Sequence, residues 1–272
     1  MKEARRMKII VTVKQVPDTA GKVAVNPDGT LNRASMQAIT NPDDMNAVEA
    51  ALSLKDRTGC KVVTITMGPP PAEGMLRELM AMGVDEAVLV SGREFGGSDT
   101  YATSQILAAA IDTLGIGEDD IIMAGRQAID GDTAQVGPQI AEKLHLPQVT
   151  YAGEIRKEED ALYVKRMLED GYMTVKVKTP CMITCIRELN EPRYMTVTGT
   201  ETCFDKPITI LDYQALKDHP LIDPATIGLK GSPTNILTSF TPPLKGAGTM
   251  LEGDGQETTD KLVGILTAKH II

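Results

Sequence analysis

Residues 125–138 carry the strongest chemical signal in the chain. This loop follows a short apolar run at 121–124, typical of a buried strand, and leads into a segment at 133–144 with helical spacing. A strand, a glycine-bearing loop and a helix start form a site for phosphate, because free amides and the positive end of the helix dipole face the anion. Small residues such as Gly131 and Ala134 would let the backbone come close to that ligand.

The polar side chains of this loop support two interpretations. Arg126 can pair with a phosphate or stack on a planar ring, and Asp132 or Thr133 can cap the following helix. By shape alone, an ordinary strand-to-helix turn with a capping Asp explains the same residues slightly better. Neither the dinucleotide fingerprint GxGxxG nor a phosphate loop of the form GxxxxGKS or GxxxxGKT occurs in the chain. A nucleotide site here must therefore depart from those motifs.

Alternating strands and helices must position this loop. The predicted strands are residues 8–13, 61–67, 87–90 and 120–124, and the predicted helices are residues 41–58, 72–82, 101–114 and 133–144. Residues 20–34 contain Gly, Asn and Asp at intervals, which predicts a hairpin-like excursion. Continuous apolar strands predict an α/β fold with a mostly parallel sheet and helices on both faces. In such sheets, ligands bind at the carboxyl ends of the strands.

The second half of the chain changes character. Residues 161–167, 172–178 and 182–186 alternate with period two, which predicts an antiparallel hairpin group joined to the main sheet. After Lys206 the chain is rich in Pro and Gly, and no regular core element is predicted before Thr259. Residues 260–272 then form an amphipathic helix. We predict a nucleotide-binding domain at 1–205 and an extended arm at 206–272. The arm docks on a partner or packs back on its own domain, and the pattern weights these equally.

Composition excludes several classes of function. The chain has 28 Lys and Arg against 37 Asp and Glu, and this net negative charge disfavours nucleic acid as a partner. The presence of only 3 His and 4 Cys, without a CxxC motif, argues against a metal site and predicts reduced, buried thiols. No apolar run approaches the length of a membrane span or forms a signal peptide, so we expect a cytoplasmic protein.

Several segments, taken in order, resemble the beta subunits of electron-transfer flavoproteins. The segment GRQAIDGDTAQVGPQIAEKL at 125–144 is similar to their nucleotide-binding segment. VTVKQVPDT at 11–19 resembles the first strand and its loop, NPDDMNAVEAAL at 41–52 a second nucleotide-contacting segment, and MGPP at 67–70 the turn after the next strand. LNEPRYMTV at 189–197 resembles the loop that docks partner dehydrogenases, and GSPT at 231–234 a motif of the arm. The resemblance covers nearly the whole chain.

The resemblance implies a three-layer α/β/α sandwich of the adenine-nucleotide-binding type, paired with an alpha subunit that holds an FAD. The beta subunit of this family binds AMP in one branch and a second FAD in the bifurcating branch. The nucleotide contacts implied for this chain are Thr12, Asn41, Pro42, Asp43, Asp44, Met67, Gly125, Arg126, Gln127, Ala128, Ile129, Asp130, Gly131, Asp132, Thr133, Ala134, Gln135 and Val136. Thr12 has a plain alternative as a β-branched core residue.

Residues 41–46 and 16–19 resemble the bifurcating branch, although Asp43 and Asp44 would also simply start a helix well. If the chain belongs to the bifurcating branch, NADH delivers a hydride to the beta-bound FAD. One electron then passes to ferredoxin or flavodoxin, and the other passes through the alpha-bound FAD to a flavin dehydrogenase. No side-chain nucleophile or general base is expected, because the cofactor performs the redox chemistry. Arg126 and Asp130 are the residues expected nearest the phosphate or flavin.

The docking loop implied by the resemblance contains Glu191, Pro192, Arg193, Tyr194 and Val197. Val197 stands where the family places a protruding hydrophobe, but Thr198 follows it where Pro often stands, and this leaves an acyl-CoA or a lactate-type dehydrogenase as the partner. A tight surface turn explains the loop equally simply. Two other functions stay open: the same subunit with structural AMP, and a universal-stress-type nucleotide-binding module, which does not explain the loop or the arm.

Overall fold

The computed structural model describes residues 6–18, 38–159, 161–234 and 246–272, so the excursion expected at 20–34 lies outside the described residues. The strands are β1 Lys8–Thr12, β2 Gln15–Pro17, β3 Ala38–Thr40, β4 Lys61–Met67, β5 Glu86–Val90, β6 Ile121–Gly125, β7 Gln148–Glu158, β8 Ala161–Leu168, β9 Gly171–Lys178, β10 Cys181–Cys185 and β11 Ile208–Leu211. The α-helices are α1 Pro42–Thr58, α2 Glu73–Met82, α3 Thr100–Thr113, α4 Val136–Lys143, α5 Val197–Thr202, α6 Tyr213–Leu216, α7 Gly228–Gly231 and α8 Gly255–Ala268.

Within this described part, nine strands form one sheet in the order β11-β5-β4-β1-β6-β10-β7-β8-β9. Every neighbouring pair from β11 to β7 is parallel, whereas β8 is antiparallel to both β7 and β9. A separate antiparallel pair joins β2 to β3. The predicted α/β fold with a mostly parallel sheet is therefore confirmed.

The sheet separates two apolar cores, as expected for strands that are buried on both faces. In β1, Ile9 and Val11 pack in one core with α1 and α2, whereas Ile10 packs in the other core with α3 and α4. All three side chains are fully buried. Helices thus cover both faces, which confirms the three-layer α/β/α arrangement.

Helix α1 has the start and stop signals that the sequence shows. Pro42 occupies its first turn together with Asp43 and Asp44, whose charges suit the helix N-terminus. Gly59 ends the helix in the left-handed conformation, with φ of 68°, and its N–H bonds to the carbonyl of Lys55. Local chemistry therefore determines both ends of the helix that lies beside the loop after β6.

The assignment of residues 182–186 to an antiparallel hairpin group is wrong. Strand β10 lies in the parallel part of the sheet, where Cys181 pairs with Ile121 and Cys185 pairs with Gly125. All its residues are buried, and the four cysteines of the chain, all of them described, are buried and free. A short apolar strand does not reveal its neighbours, because pairing direction is decided by the packing of distant segments.

The expectation of no regular core element between Lys206 and Thr259 is also wrong. Strand β11 extends the main sheet by parallel pairing with β5, and Leu211, Leu216 and Ile222 are buried in the core that contains α3. Prolines and glycines around this short strand conceal it in the sequence. The division of the chain at residue 205 stays a prediction, although the sheet continues past that point.

Two helix starts differ from the predicted ones by more than one residue. Helix α4 begins at Val136 rather than Thr133, because Asp132 and Ala134 adopt left-handed φ values of 50° and 52° that a helix cannot contain. Helix α8 begins at Gly255 rather than residue 260, because the Asp254 side chain accepts a hydrogen bond from the N–H of Glu257 and caps it there. None of the residues of α8 is buried. Among the described residues, no helix combines the length and apolarity that crossing a bilayer requires.

Candidate functional site

The carboxyl ends of β1, β4 and β6 meet at one edge of the sheet. Thr12 pairs in register with Ala124 on one side and with Ile65 on the other, so Thr12, Met67 and Gly125 lie along this edge. Thr12 is nearly buried, and its hydroxyl donates to the carbonyl of Met123 at 3.4 Å. The fold therefore brings the predicted strand-end residues together, with the Thr12 hydroxyl already engaged inside the protein.

Asn41 connects the start of α1 to the loop after β6. It occupies the N-cap position, but its side chain makes no capping bond. Its amide Nδ2 donates to the carbonyl of Gln127 at 2.8 Å, and its Oδ1 accepts from the N–H of Ile129 at 3.1 Å. Because Asn41 is fully buried, these bonds hold residues 127–129 at a defined distance from α1.

Asp44 joins the two strand ends that flank the site. Its Oδ2 accepts from the N–H of Lys14 at 2.8 Å, and its Oδ1 accepts from the N–H of Gly125 at 2.9 Å. Burial raises the pKa of Asp44 to about 7, against the lowering effect of those amides. Its role is to fix the backbone at this edge.

Gly125 is required by this close approach. A Cβ at Gly125 would lie 2.5 Å from the carbonyl carbon of Asp43 and 2.5 Å from Oδ1 of Asp44. In contrast, a Cβ at Gly131 would meet no atom within 4 Å among the described residues. Gly125 thus serves the packing of α1 against β6, while Gly131 leaves the loop surface open.

Asp43 and Arg126 form an incompletely satisfied pair beside the loop. Oδ2 of Asp43 lies 3.3 Å from Nε of Arg126, yet both atoms are buried and neither has a hydrogen-bond partner among the described residues. Burial raises the pKa of Asp43, partly offset by the Arg126 charge. Buried polar atoms are normally satisfied, so this pair departs from the usual pattern beside the loop.

Lys14 is a site residue that the motif analysis missed. Its Nζ lies 2.7 Å from Oδ1 and 2.8 Å from Oδ2 of Asp130. The Asp130 carboxylate is therefore directed to Lys14. The position of Lys14 directly after β1, within the segment at 11–19, is the signal that could have revealed it. Sequence spacing could not have revealed the contact between Lys14 and Asp130, because the two residues are 116 positions apart.

The end of the loop presents backbone groups to the same edge. The predicted capping role of Asp132 or Thr133 is wrong: Gln135 occupies the N-cap position of α4, and no side chain caps this helix. Instead, Oδ1 of Asp132 accepts from Nε2 of Gln127 at 2.8 Å, and Oε1 of Gln135 accepts from the Thr100 hydroxyl at 2.8 Å. The uncapped N-terminus of α4 can bind an anion through its amides.

Comparison with known proteins identifies the family of the chain. Residues 28–211 match the profile described as the electron transfer flavoprotein domain. The chain belongs to the electron transfer flavoprotein family. It is 67% identical over 267 residues to the acryloyl-CoA reductase electron transfer subunit gamma of Anaerotignum propionicum, covering 98% of this chain and 100% of that protein.

Other members of the family are similar over their full lengths. The chain is 49% identical to the caffeyl-CoA reductase-Etf complex subunit CarD of Acetobacterium woodii and 49% identical to the electron transfer flavoprotein subunit beta of Clostridium acetobutylicum. Each match covers 98% of this chain and 100% of the relative. The predicted membership among the beta subunits is confirmed, and the general role is electron transfer.

The segment GSPT at 231–234 contacts the start of α3. The N–H of Asp99, the N-cap of α3, donates to the Ser232 hydroxyl at 2.8 Å. The N–H of Thr234 donates to Oδ2 of Asp99 at 2.9 Å. The arm is thereby tied to the start of α3, next to the Thr100 hydroxyl that bonds to Gln135. Its sequence indicated the motif but not this location.

The predicted docking loop contacts the body of α1 through Arg193 and Glu49. Tyr194 is 93% exposed and Val197 is 89% exposed, whereas Arg193 is directed toward α1. Glu191 is exposed and Pro192 is partly buried. The loop therefore presents apolar side chains and Glu191 outward, while Arg193 faces inward.

The site residues divide into three groups by their contacts. Asn41, Asp44 and Gly125 hold the backbone, whereas Asp43 and Arg126 pair with each other and the start of α4 has no side-chain cap. Gln127 and Asp132 bond to each other within the loop. The remaining predicted positions are Pro42, which starts α1, and Ala128, Ile129, Gly131, Thr133, Ala134 and Val136 along the loop.

Proposed function

We propose that the chain is the beta subunit of a heterodimeric electron-transfer flavoprotein, that it binds FAD at the edge formed by residues 125–136, and that it takes part in electron bifurcation. The observation that carries this proposal is the ligand-directed edge itself. There, the N-terminus of α4 has no side-chain cap, and the loop that leads into it contains Arg126, whose Nε, like Oδ2 of Asp43, has no hydrogen-bond partner among the described residues. This donor set suits a pyrophosphate and the polar rim of a planar ring.

The protein's own residues would bind and orient the cofactor. The amides at the start of α4 and the guanidinium of Arg126 would hold the phosphates, while Asn41 and Asp44 keep the loop and strand ends at the distance that the ligand requires. FAD, when bound, supplies the chemistry that accepts a hydride from NADH and releases single electrons. Because FAD would perform the redox chemistry, no side-chain nucleophile is needed.

The acceptors follow from the same proposal. One electron passes to ferredoxin or flavodoxin, and the other passes through the FAD of an alpha subunit to a flavin-dependent dehydrogenase. The similar subunits from Anaerotignum propionicum and Acetobacterium woodii are named as parts of acyl-CoA-type reductase systems. We therefore propose an acyl-CoA dehydrogenase as the partner in preference to a lactate-type enzyme.

The exposed apolar side chains of α8 support docking of the arm on the alpha subunit. Leu262, Val263 and Ile265 are each between about a third and a half exposed in a helix without buried residues. Removing residues 259–272 should weaken heterodimer assembly more than it destabilises the α/β core. An intact heterodimer on size-exclusion chromatography after this truncation would argue that the arm packs elsewhere.

The cofactor content of the purified heterodimer tests the central claim. The chain is produced with its alpha partner, the complex is denatured, and the released nucleotides are separated by chromatography. A second FAD in each heterodimer with little AMP supports the proposal. One FAD together with one AMP would restrict this chain to a structural and docking role, and the bifurcation proposal would be withdrawn.

Variants of two arginines locate the cofactor. Arg126→Ala should lower the nucleotide content, because it removes the guanidinium beside the loop. Arg156→Ala provides the matched control, since Arg156 lies on β7, where it pairs with the exposed carboxylates of Glu154 and Glu158 and lies over the Tyr163 ring. Equal nucleotide content in both variants would place the ligand away from residues 125–136.

A further inference from the structure

The exposed part of the docking loop is short and strongly apolar. Tyr194 and Val197 project almost completely from the surface, and Met195 between them is 50% exposed. Unsupported, such a segment would sample many conformations, and ordering it on binding would weaken a complex. The structure therefore raises the question of what holds these side chains outward.

Arg193 makes a dense set of contacts with α1. Its backbone N–H donates to Oε2 of Glu49 at 3.0 Å, its Nε donates to the same oxygen at 2.8 Å, and its Nη2 donates to Oε1 at 2.9 Å. Nη2 also donates to Oδ2 of Asp56 at 2.8 Å. A guanidinium held through two of its nitrogens by one carboxylate has a fixed orientation.

The carboxylate that receives Arg193 is itself held in place. Glu49 is nearly buried, and its Oε1 accepts from the Ser53 hydroxyl at 2.9 Å. Although burial would raise the pKa of Glu49, the bonds and charge of Arg193 bring it below its ordinary value. The same pair raises the pKa of Arg193. Both groups therefore stay charged and paired throughout the neutral range.

The loop is anchored on both sides of Arg193. Before it, Nδ2 of Asn46 donates to the carbonyl of Asn190 at 2.8 Å, and Nδ2 of Asn190 donates back to the carbonyl of Asn46 at 3.0 Å. After it, the N–H of Thr196 donates to the carbonyl of Ala81 at the end of α2, at 3.2 Å. Only Tyr194 and Met195 lie between the Arg193 and Thr196 anchors.

We propose that Arg193 is a positioning residue for docking: its guanidinium binds Glu49 and Asp56 and so presents Tyr194 and Val197 to the partner, without itself contacting that partner. This inference rests on the proposed function, which supplies a flavin-dependent acyl-CoA dehydrogenase as the occupant of the exposed side chains. It assigns Glu49, a residue of α1 outside the docking segment, to partner recognition.

The decisive variant is Glu49→Gln, because it leaves Arg193 in the chain but removes the charge that orients it. The heterodimer is titrated against a purified acyl-CoA dehydrogenase, and KM for the heterodimer is separated from kcat. Arg193→Ala and Glu49→Gln should each raise KM about tenfold with little change in kcat, and the double variant should show no further increase. If Arg193 contacts the partner directly, Arg193→Ala alone would raise KM, and the proposal would be overturned.

Two further measurements separate this inference from the proposed function. Reduction of an artificial dye by NADH, which needs no docking, should be unchanged in Glu49→Gln. Hydrogen exchange of the heterodimer should become faster at residues 190–197 in that variant but not at residues 125–136. Unchanged exchange at 190–197 overturns the positioning role whatever the activity. A wild-type heterodimer that exchanges as expected but transfers no electrons to the dehydrogenase would instead overturn the proposed function.

Discussion

Helix α1 supports two regions of the molecule by different kinds of contact. At its N-terminal end, the buried side chains of Asn41 and Asp44 bond to backbone groups of the β1 and β6 loops. Along its body, the buried Glu49 and the exposed Asp56 bind the partly buried Arg193 side chain through charged contacts. The first arrangement fixes backbone atoms in one geometry, whereas the second positions a loop whose outer side chains stay free.

This difference follows from what each region must do. A cofactor site has to hold its backbone amides at defined distances, and buried hydrogen bonds to main-chain atoms provide this. The predicted docking loop keeps apolar side chains exposed, and the charged contacts at its base include one to the exposed Asp56, which contributes little free energy. Substitutions at the two ends of α1 should therefore have unequal effects on stability.

The largest effect is expected from Gly125→Ala. The new methyl group would overlap the backbone of Asp43, so α1 must move away from β6, and we expect a loss of about 3 kcal/mol in the free energy of unfolding. Urea unfolding followed by circular dichroism measures it. Gly131→Ala in the same loop is the matched control and should change stability by no more than about 0.5 kcal/mol. Equal losses in both variants would contradict the packing role of Gly125.

A pH dependence should follow from Asp44. Its pKa of about 7 in the folded state exceeds its ordinary value of 3.8, so the folded protein keeps a proton that the unfolded chain loses. The contribution of this group to stability is thus greatest below its unfolded pKa and is lost as the pH rises toward about 7. The slope approaches about 1.4 kcal/mol per pH unit in that window. Asp44→Asn should flatten the profile; an unchanged profile would show that another group titrates.

A smaller effect is expected at the body of α1. Asp56 is 59% exposed at its side chain, and Arg193 keeps its bonds to Glu49 when Asp56 is changed. Asp56→Asn should therefore lower the free energy of unfolding by less than about 1 kcal/mol. A loss comparable with that of Gly125→Ala would mean that the two regions do not differ as described.

The smallest effect on stability is expected from Lys14→Met, although Lys14 lies at the cofactor edge. Its side chain is 50% exposed and pairs with Asp130, while its backbone N–H keeps the bond to Asp44 in the variant. We expect a change of about 0.5 kcal/mol or less in unfolding. A large loss would show that location at the edge, rather than burial, sets the stability difference between the two regions.

Sequence patterns predicted the regular elements best where local chemistry decides them. The strand at 61–67 was predicted with its observed bounds, and the signals around α1 matched the helix that forms. The same reasoning placed the start of α4 too early, since left-handed backbone at Asp132 and Ala134 is not visible in their side-chain types. The strand-loop-helix pattern also identified the loop after β6 as a possible ligand site. The family resemblance alone indicated that the ligand is a nucleotide.

The sequence by itself determined the α/β alternation and the two-faced burial of the strands, because periodicity, glycine and proline act over a few residues; the segments for nucleotide and partner stay predictions. Only the tertiary structure decided that β10 and β11 join the parallel sheet, that Lys14 meets Asp130 and that Glu49 receives Arg193. These contacts join residues far apart in the chain. Their pairing depends on which surfaces pack together, and no local pattern encodes that choice.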